Sequence, residues 1–293
     1  MVVQIVPNEE LPQYLVELAN KKELLIIYHS VDSELKNLFP DCKHYFFKGI
    51  HGEGVIHFVF RIQRFVIPFV LISTTENVQI SSQDLNNIFQ EVFERIHSLH
   101  SFKSTLVLGP SYITKLYNRW KADYLCHDVE QEWPTCLYYM TQDQIQLTVD
   151  SDITLPSEYH LSNDISNEEA LFINNTWKNA KEGDAEQSAA KLKYLPFGCA
   201  KTVDNKLASY VMTDPAGFLT HLYTVEEHRY KGLGTAVELE ACKKMIVLNR
   251  IPFKQIEHYN VLSLKSADNS PYWTRLNYES GEAVTFLFIT HTH

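Results

Sequence analysis

HLYTVEEHRYKGLGTAVELEACKK, residues 221–244, decides the fold of this 293-residue chain. Its first residues end a β-rich run expected over 217–225. Its last belong to a helix expected over 232–249, with Leu233, Val237, Ala241, Met245 and Leu248 as one apolar stripe. Between them stands Arg229-x-x-Gly232-x-Gly234. Glycines let a backbone pass close to a ligand and turn several N–H groups into one concavity, a nest for anions. A helix starting there adds the positive end of its dipole, so a pyrophosphate fits at that N-terminus. Arg229 and Lys231 bring local positive charge. For residues in random order, this pattern is expected only about 0.02 times per chain of such composition.

Outward from this stretch the elements follow a repeated order. Before it, Ser166-x-x-Glu169 reads as a capping box opening a helix with Ile173 and Trp177, and a further helix is expected over 184–195. Runs 197–203, 207–213 and 217–225 read as three strands. After it come a short strand over 254–258, a helical segment around 266–275 and a last strand over 284–289. The first half has a similar sequence of signals. Three β-rich runs (44–49, 54–62, 65–73) precede an amphipathic helix over 84–100 bearing Leu85, Ile88, Phe89, Val92, Phe93, Ile96 and Leu99. A strand over 105–108 and a helix over 111–121 follow. The polar stretch 141–157 reads as a linker, so the expected domains are 1–140 and 158–293.

Composition bounds the function. Lys and Arg number 26 against 36 Asp and Glu, a net charge of −10, and 45% of residues are hydrophobic. Such a chain forms a core, and its acidic balance argues against a non-specific nucleic-acid binder. The N-terminus has no basic residue before Lys21 and carries Glu9, Glu10 and Glu17, unlike a secretory signal or mitochondrial presequence. The most apolar stretch, 55–72, is broken by His57, Arg61, Gln63 and Arg64, so no membrane span is expected. Five widely spaced cysteines without a Cys-x-x-Cys pair fit a reducing compartment, and a cytoplasmic protein is the expectation. Glu257-His258 and His291-Thr-His293 lack a third ligand at recognisable spacing, so no metal is expected.

Arg229–Gly234, with its flanking strand and helix, resembles the acyl-coenzyme-A motif of the GNAT acyltransferase superfamily, (Gln or Arg)-x-x-Gly-x-(Gly or Ala). The resemblance covers roughly 158–289. Tyr223-Thr224-Val225-Glu226-Glu227-His228-Arg229 is more particularly similar to the motif of glycine N-acyltransferases, which also carry a degenerate N-terminal lobe of the same shape. The resemblance implies an α/β fold with a mixed, mostly antiparallel central sheet flanked by helices, and acyl-CoA or acetyl-CoA as co-substrate. It implies that Leu222, Tyr223 and Thr224 meet the pantetheine arm and that Arg229, Tyr230, Lys231, Gly232, Leu233, Gly234 and Thr235 hold the phosphates. Asn269 matches an asparagine of the family. Further on, Asn277-Tyr278 replaces Gly-Phe, and Trp273 stands where the family usually has a tyrosine acid. An indole N–H gives up no proton, which leaves Tyr272 or Tyr278 for that role. The resemblance also leaves mitochondria as a second compartment.

An amine attacks a thioester only when neutral, and amino groups of this kind titrate at about 8 or above, so a base is useful. Glu227, just past the strand end and matching the family glutamate, is the expected base, with Glu226 its nearest rival. His221 is expected to share a face with Leu219, Tyr223 and Val225. The expected partner is a small amine such as glycine, acylated by direct attack. A protein or peptide amine is the alternative acceptor, and a non-catalytic coenzyme-A-binding protein is the alternative class. The oligomeric state is left open. The stretch 73–84 contains neither glycine nor a basic residue, so the first lobe is not expected to hold the co-substrate.

Overall fold

The computed structural model describes residues 2–75, 80–177 and 180–292. Along the chain run β1 (Val2–Val6), α1 (Leu11–Leu18), α2 (Leu25–Leu35), β2 (Cys42–His51), β3 (Gly54–Gln63), β4 (Phe69–Thr74) and α3 (Ser82–Leu99). Next are β5 (Ser104–Pro110), α4 (Ser111–Leu125), β6 (Glu132–Tyr139), α5 (Gln142–Asp150), β7 (Tyr159–Leu161), α6 (Asn167–Asn175) and α7 (Asp184–Tyr194). The rest are β8 (Gly198–Thr202), β9 (Leu207–Thr213), β10 (Phe218–Thr224), α8 (Leu233–Val247), β11 (Phe253–Glu257), α9 (Val261–Asp268), β12 (Thr274–Arg275) and β13 (Thr285–Thr292). Two compact units result. One is Met1–Leu137 with Glu257–Tyr259 and Leu276–His293, and the other is Tyr138–Ile256 with Asn260–Arg275.

In the first unit β2, β3 and β4 pair antiparallel, and α3 then crosses over so that β5 lies parallel to β4, since a parallel pair needs such a crossover. Ser81 caps α3, its hydroxyl accepting from the Asp84 N–H at 3.2 Å. The 3.6-residue period then brings Leu85, Ile88, Phe89, Val92, Phe93 and Ile96 onto Phe47, Phe58, Phe60, Val70 and Ile72. Each such burial is worth about 1.5–3 kcal/mol. Leu99, expected to finish the stripe, is exposed at the helix end. The stretch 73–84 expected to lack a phosphate loop falls partly on 76–79, outside the described residues.

The second unit repeats the plan. Strands β7 to β10 pair antiparallel in order, and after α8 the strand β11 lies parallel to β10. The expected mixed, mostly antiparallel sheet flanked by helices is therefore present. Helix α6 starts at the expected capping box, with Ser166 and Glu169 bonded reciprocally. Ala170, Ile173 and Leu192 of α6 and α7 cover Tyr210 and Met212 of β9.

Three details differ from the sequence reading. The stretch read as a linker opens with α5, held by a capping box between Thr141 and Gln144. The helix expected around 266–275 lies earlier, capped by Asn260, because Pro271 cannot continue it. Thr274–Arg275 is instead a strand against Tyr138–Tyr139. Finally, β13, expected with the second domain, pairs antiparallel with β5 on one side and β6 on the other, in the first unit.

Candidate active site

The second unit holds the candidate site, at the carboxyl end of β10 and the start of α8. Strand β10 is registered with β11 only through Phe218 with Phe253 and Leu219 with Lys254. Beyond that point β10 bulges. Thr220 faces Met212, but Tyr223 faces Tyr210, so one residue more is used on β10 than on β9. His221 absorbs the extra residue at φ +56°, and Leu222 is exposed. A bulge of this kind re-aims side chains. Tyr223 consequently shares the face of Thr220, Tyr210 and Met212. The expected face of Leu219, His221, Tyr223 and Val225 does not form, because strict alternation ends at His221.

After β10 a single 3-10 turn, Glu226–His228, exposes both Glu226 and Glu227. The loop from Arg229 to Gly232 then leads into α8 through two residues in the left-handed region. Tyr230 sits at φ +62° with its ring fully exposed, and Gly232 sits at φ +78°. A Cβ at Gly232 would meet nothing within 4 Å, so glycine is there for its backbone angle and not for room. Gly232 caps α8 without a side-chain bond, and the first bond within the helix runs from Ala236 N–H to Gly232 O at 3.1 Å. The N–H groups of Leu233, Gly234 and Thr235 thus belong to the unpaired first turn, where an anion is favoured. A Cβ on Gly234 would lie 3.5 Å from Thr224 Oγ1, an ordinary contact.

The loop's cations are held back by the protein. Arg229 Nε donates to Thr224 O at 3.1 Å, and its guanidinium lies 5.7 Å from the Tyr223 ring centre. Lys231 Nζ donates to the Tyr159 hydroxyl at 2.6 Å, which is also 3.0 Å from His228 Nδ1. That bond and Glu158 hold the Lys231 ammonium above its ordinary range. Tyr159 of β7 was missed in the sequence, where nothing in its spacing marked it. Ser209 Oγ lies 2.8 Å from Thr224 Oγ1 and also donates to Tyr223 O.

The residues after α9 are less clearly drawn to the loop. Asn269 donates its amide to Lys265 O at 2.8 Å, finishing the helix, and makes no hydrogen bond to the Arg229–Thr235 loop among the described residues. Tyr272 is half-buried in the same unit. Tyr278 belongs to the other unit, its ring centre 6.3 Å from that of Tyr112. Trp273 has a definite structural task. Its indole N–H donates to Glu238 Oε2 at 2.9 Å, Lys254 donates to the other oxygen of Glu238 at 2.6 Å, and the Lys254 ammonium lies 4.1 Å from the indole centre. Replacing Trp273 with Phe leaves a buried carboxylate oxygen short of a donor and should cost about 1–3 kcal/mol. A denaturant midpoint that does not move would sink that account.

His221 is the least expected member of the site. Its ring packs edge-on against Trp177 at 4.5 Å, Nδ1 lies 2.9 Å from Thr220 Oγ1, and Nε2 is buried with no hydrogen-bond partner among the described residues. Burial first, then the Lys191 ammonium, pushes its pKa down to about 3 against the opposing pull of Asp214. Lys191 and Asp214 are themselves a buried ion pair at 3.1 Å. Elsewhere in the unit an open groove of about 540 Å³ is lined by residues including Phe172, Glu169 and Lys201. Lys201 and Glu169 satisfy one another at 2.9 Å, and nothing in the groove converges on a ligand. No cluster of three or more His, Cys, Asp or Glu suited to a metal occurs among the described residues, and His293 lies outside them. No described helix is long and apolar enough to cross a membrane.

Among solved structures the chain resembles a Drosophila protein with a TM-score of 0.67 at 13% identity, covering 98% of each chain. It also resembles a candidate acetyltransferase of Pyrococcus horikoshii with a TM-score of 0.52 at 11% identity, covering 100% of this chain and 89% of that one. At such identities the likeness is one of fold. No protein-family model matches the sequence, and no curated protein matches it.

Proposed function

We propose that the chain is a GNAT-type N-acyltransferase that moves an acyl group from a coenzyme A thioester to the amine of glycine or another small amino acid. The observation that carries this reading is the loop from Arg229 to Thr235, with its two left-handed residues leading into an uncapped helix start. In this reading the amides of Leu233, Gly234 and Thr235 take the diphosphate, with Arg229, Tyr230, Lys231 and Gly232 shaping the cradle. Backbone groups of Leu222, Tyr223 and Thr224 meet the pantetheine arm, and Asn269 borders it. The first unit is a degenerate copy of the same lobe and holds no co-substrate.

The chemistry follows from the reactants. The acceptor nitrogen attacks the thioester carbonyl, its C–N bond forms, and its surplus proton passes to the Glu227 carboxylate. The tetrahedral oxyanion is steadied by a backbone N–H at the end of β10. The C–S bond then breaks, and the departing thiolate takes a proton from the Tyr272 hydroxyl. Holding both reactants in one place supplies much of the remaining acceleration. No metal is required by these steps.

Two measurements test the reading. Coenzyme A should raise the melting temperature of the protein, and thiol release from acetyl-, benzoyl- or phenylacetyl-CoA should occur with glycine or another amino acid. Release only with peptides would move the acceptor to a protein amine, and stabilisation without any release would leave a binding protein. Glu227→Gln should lower kcat/KM near neutral pH by about 10²–10⁴-fold, with the loss shrinking as the amine deprotonates unaided. An unchanged rate across pH removes Glu227 from the role.

A further inference from the structure

We propose that Nε2 of His221 is the atom that holds the acceptor's amino group, an assignment that rests on the acyltransferase reading above. Three features of the second unit converge on it. The bulge in β10 puts His221 at φ +56°, a backbone conformation that costs a side-chain-bearing residue about 1–2 kcal/mol and is kept where something depends on it. The same bulge carries the ring toward the end of α6, against Trp177, beside the face where Thr220 and Tyr223 sit. One ring nitrogen is engaged, by Thr220 Oγ1 at 2.9 Å, and the other is buried without a partner among the described residues. A buried polar atom left unpaired costs about 1–3 kcal/mol and calls for an explanation. A ligand supplies one.

The chemistry of the neighbours narrows what that ligand is. Among the described residues the charged groups that act on His221 are Lys191 on α7 and Asp214 after β9, which are paired with each other at 3.1 Å. Burial and that ammonium keep the imidazole neutral at working pH. We take Nδ1–H as the donor to Thr220 Oγ1, the tautomer that leaves a lone pair at Nε2 to receive an N–H. His221 lies two residues before Tyr223 on the strand whose end is read as the thioester site. Held there, the amine is aligned for attack while its proton still leaves through Glu227. His221 therefore binds and orients the acceptor without acting as the base.

The test follows the acceptor and the donor separately. In wild-type protein with ¹⁵N-labelled histidine, saturated with coenzyme A, glycine should shift the Nε2 resonance of His221. His221→Phe, which fills the volume without a lone pair, should raise KM for glycine about tenfold or more, the worth of one such hydrogen bond. KM for the acyl-CoA and the melting-temperature rise given by coenzyme A should stay as in wild type. His221→Gln should recover part of the loss. Thr220→Val should act like His221→Phe, by freeing the tautomer, and Thr220→Ser should not. This second pair decides the matter if His221→Phe does not fold. A resonance that glycine leaves unmoved, or a glycine KM unchanged in these variants while coenzyme A still binds, overturns this inference alone. Absence of any coenzyme A binding to the wild type overturns the acyltransferase reading with it.

Discussion

Gly198→Ala should unfold the second unit more readily than any other single-methyl change in it. Strand β8 crosses α8 at this glycine so closely that a Cβ would lie 2.7 Å from the carbonyl carbon of Val237 and nearer still to its oxygen. Both obstacles are helix backbone, which no rotamer change can clear. The helix must be displaced or the strand must give, and overpacking of this kind costs about 3 kcal/mol or more. The melting temperature should fall by roughly 10 °C. In the proposed reading the first turn of α8 takes the phosphates, so whatever protein remains folded should also bind coenzyme A more weakly. A melting temperature within a degree or two of wild type would show that strand and helix are not packed as described.

Lys121→Met should have the opposite sign. Lys121, in α4 of the first unit, is fully buried, and its ammonium has no hydrogen-bond partner among the described residues. It lies 3.0 Å from the centre of the Phe93 ring and 5.9 and 5.8 Å from those of Trp120 and Tyr124. Aromatic faces attract a cation, but they do not replace its hydration. Burial pushes its pKa down to about 7 from the usual lysine value of 10.5. Between those two values the unfolded chain binds more protons than the folded one, so this site makes stability rise with pH across that window. At and below pH 7 the full penalty applies, on the order of 3 kcal/mol after the aromatic contacts are allowed for. Methionine fills the same space without charge. The variant should therefore be more stable at pH 7 and below, by an amount that fades toward pH 10. Urea midpoints taken across pH would show it, and a variant less stable at pH 6 would refute it. His97 and His291 are both held below the usual histidine range by burial and by this same ammonium, so they stay neutral at pH 7.

The sequence spoke clearly where local and global preferences agree. Helix α3 had an apolar stripe from Leu85 to Ile96, and α6 had a complete capping box, so the start of each was readable to within two residues. Strand β9 fell within its expected bounds because turn residues flank it on either side. Helices α1, α2 and α5 were passed over; α5 was hidden by polar residues in a stretch ending at Pro156, although Thr141 and Gln144 already spelled its cap. Strand β6 was concealed by Pro134, which ordinarily demotes a strand. The turn at Gly232 and the start of α8 after it were legible because glycines and a helix start are local signals. The turn at His221 was not, because a bulge depends on the register of the facing strand, which no short stretch of sequence records. For the same reason Trp273 could be excluded as an acid but not explained, since Glu238 and Lys254 lie 35 and 19 positions away in the chain.

The lodging of Thr285–Thr292 between β5 and β6 has a consequence for the order in which this protein is made. A ribosome releases the two flanking strands more than a hundred residues before the one that joins them. Until the closing segment emerges, the nascent chain presents two raw β-margins that can pair with each other wrongly or with a neighbouring polypeptide. Maturation of the first unit thus waits on a segment made long after its other strands, and that late stitch governs how fast it is finished.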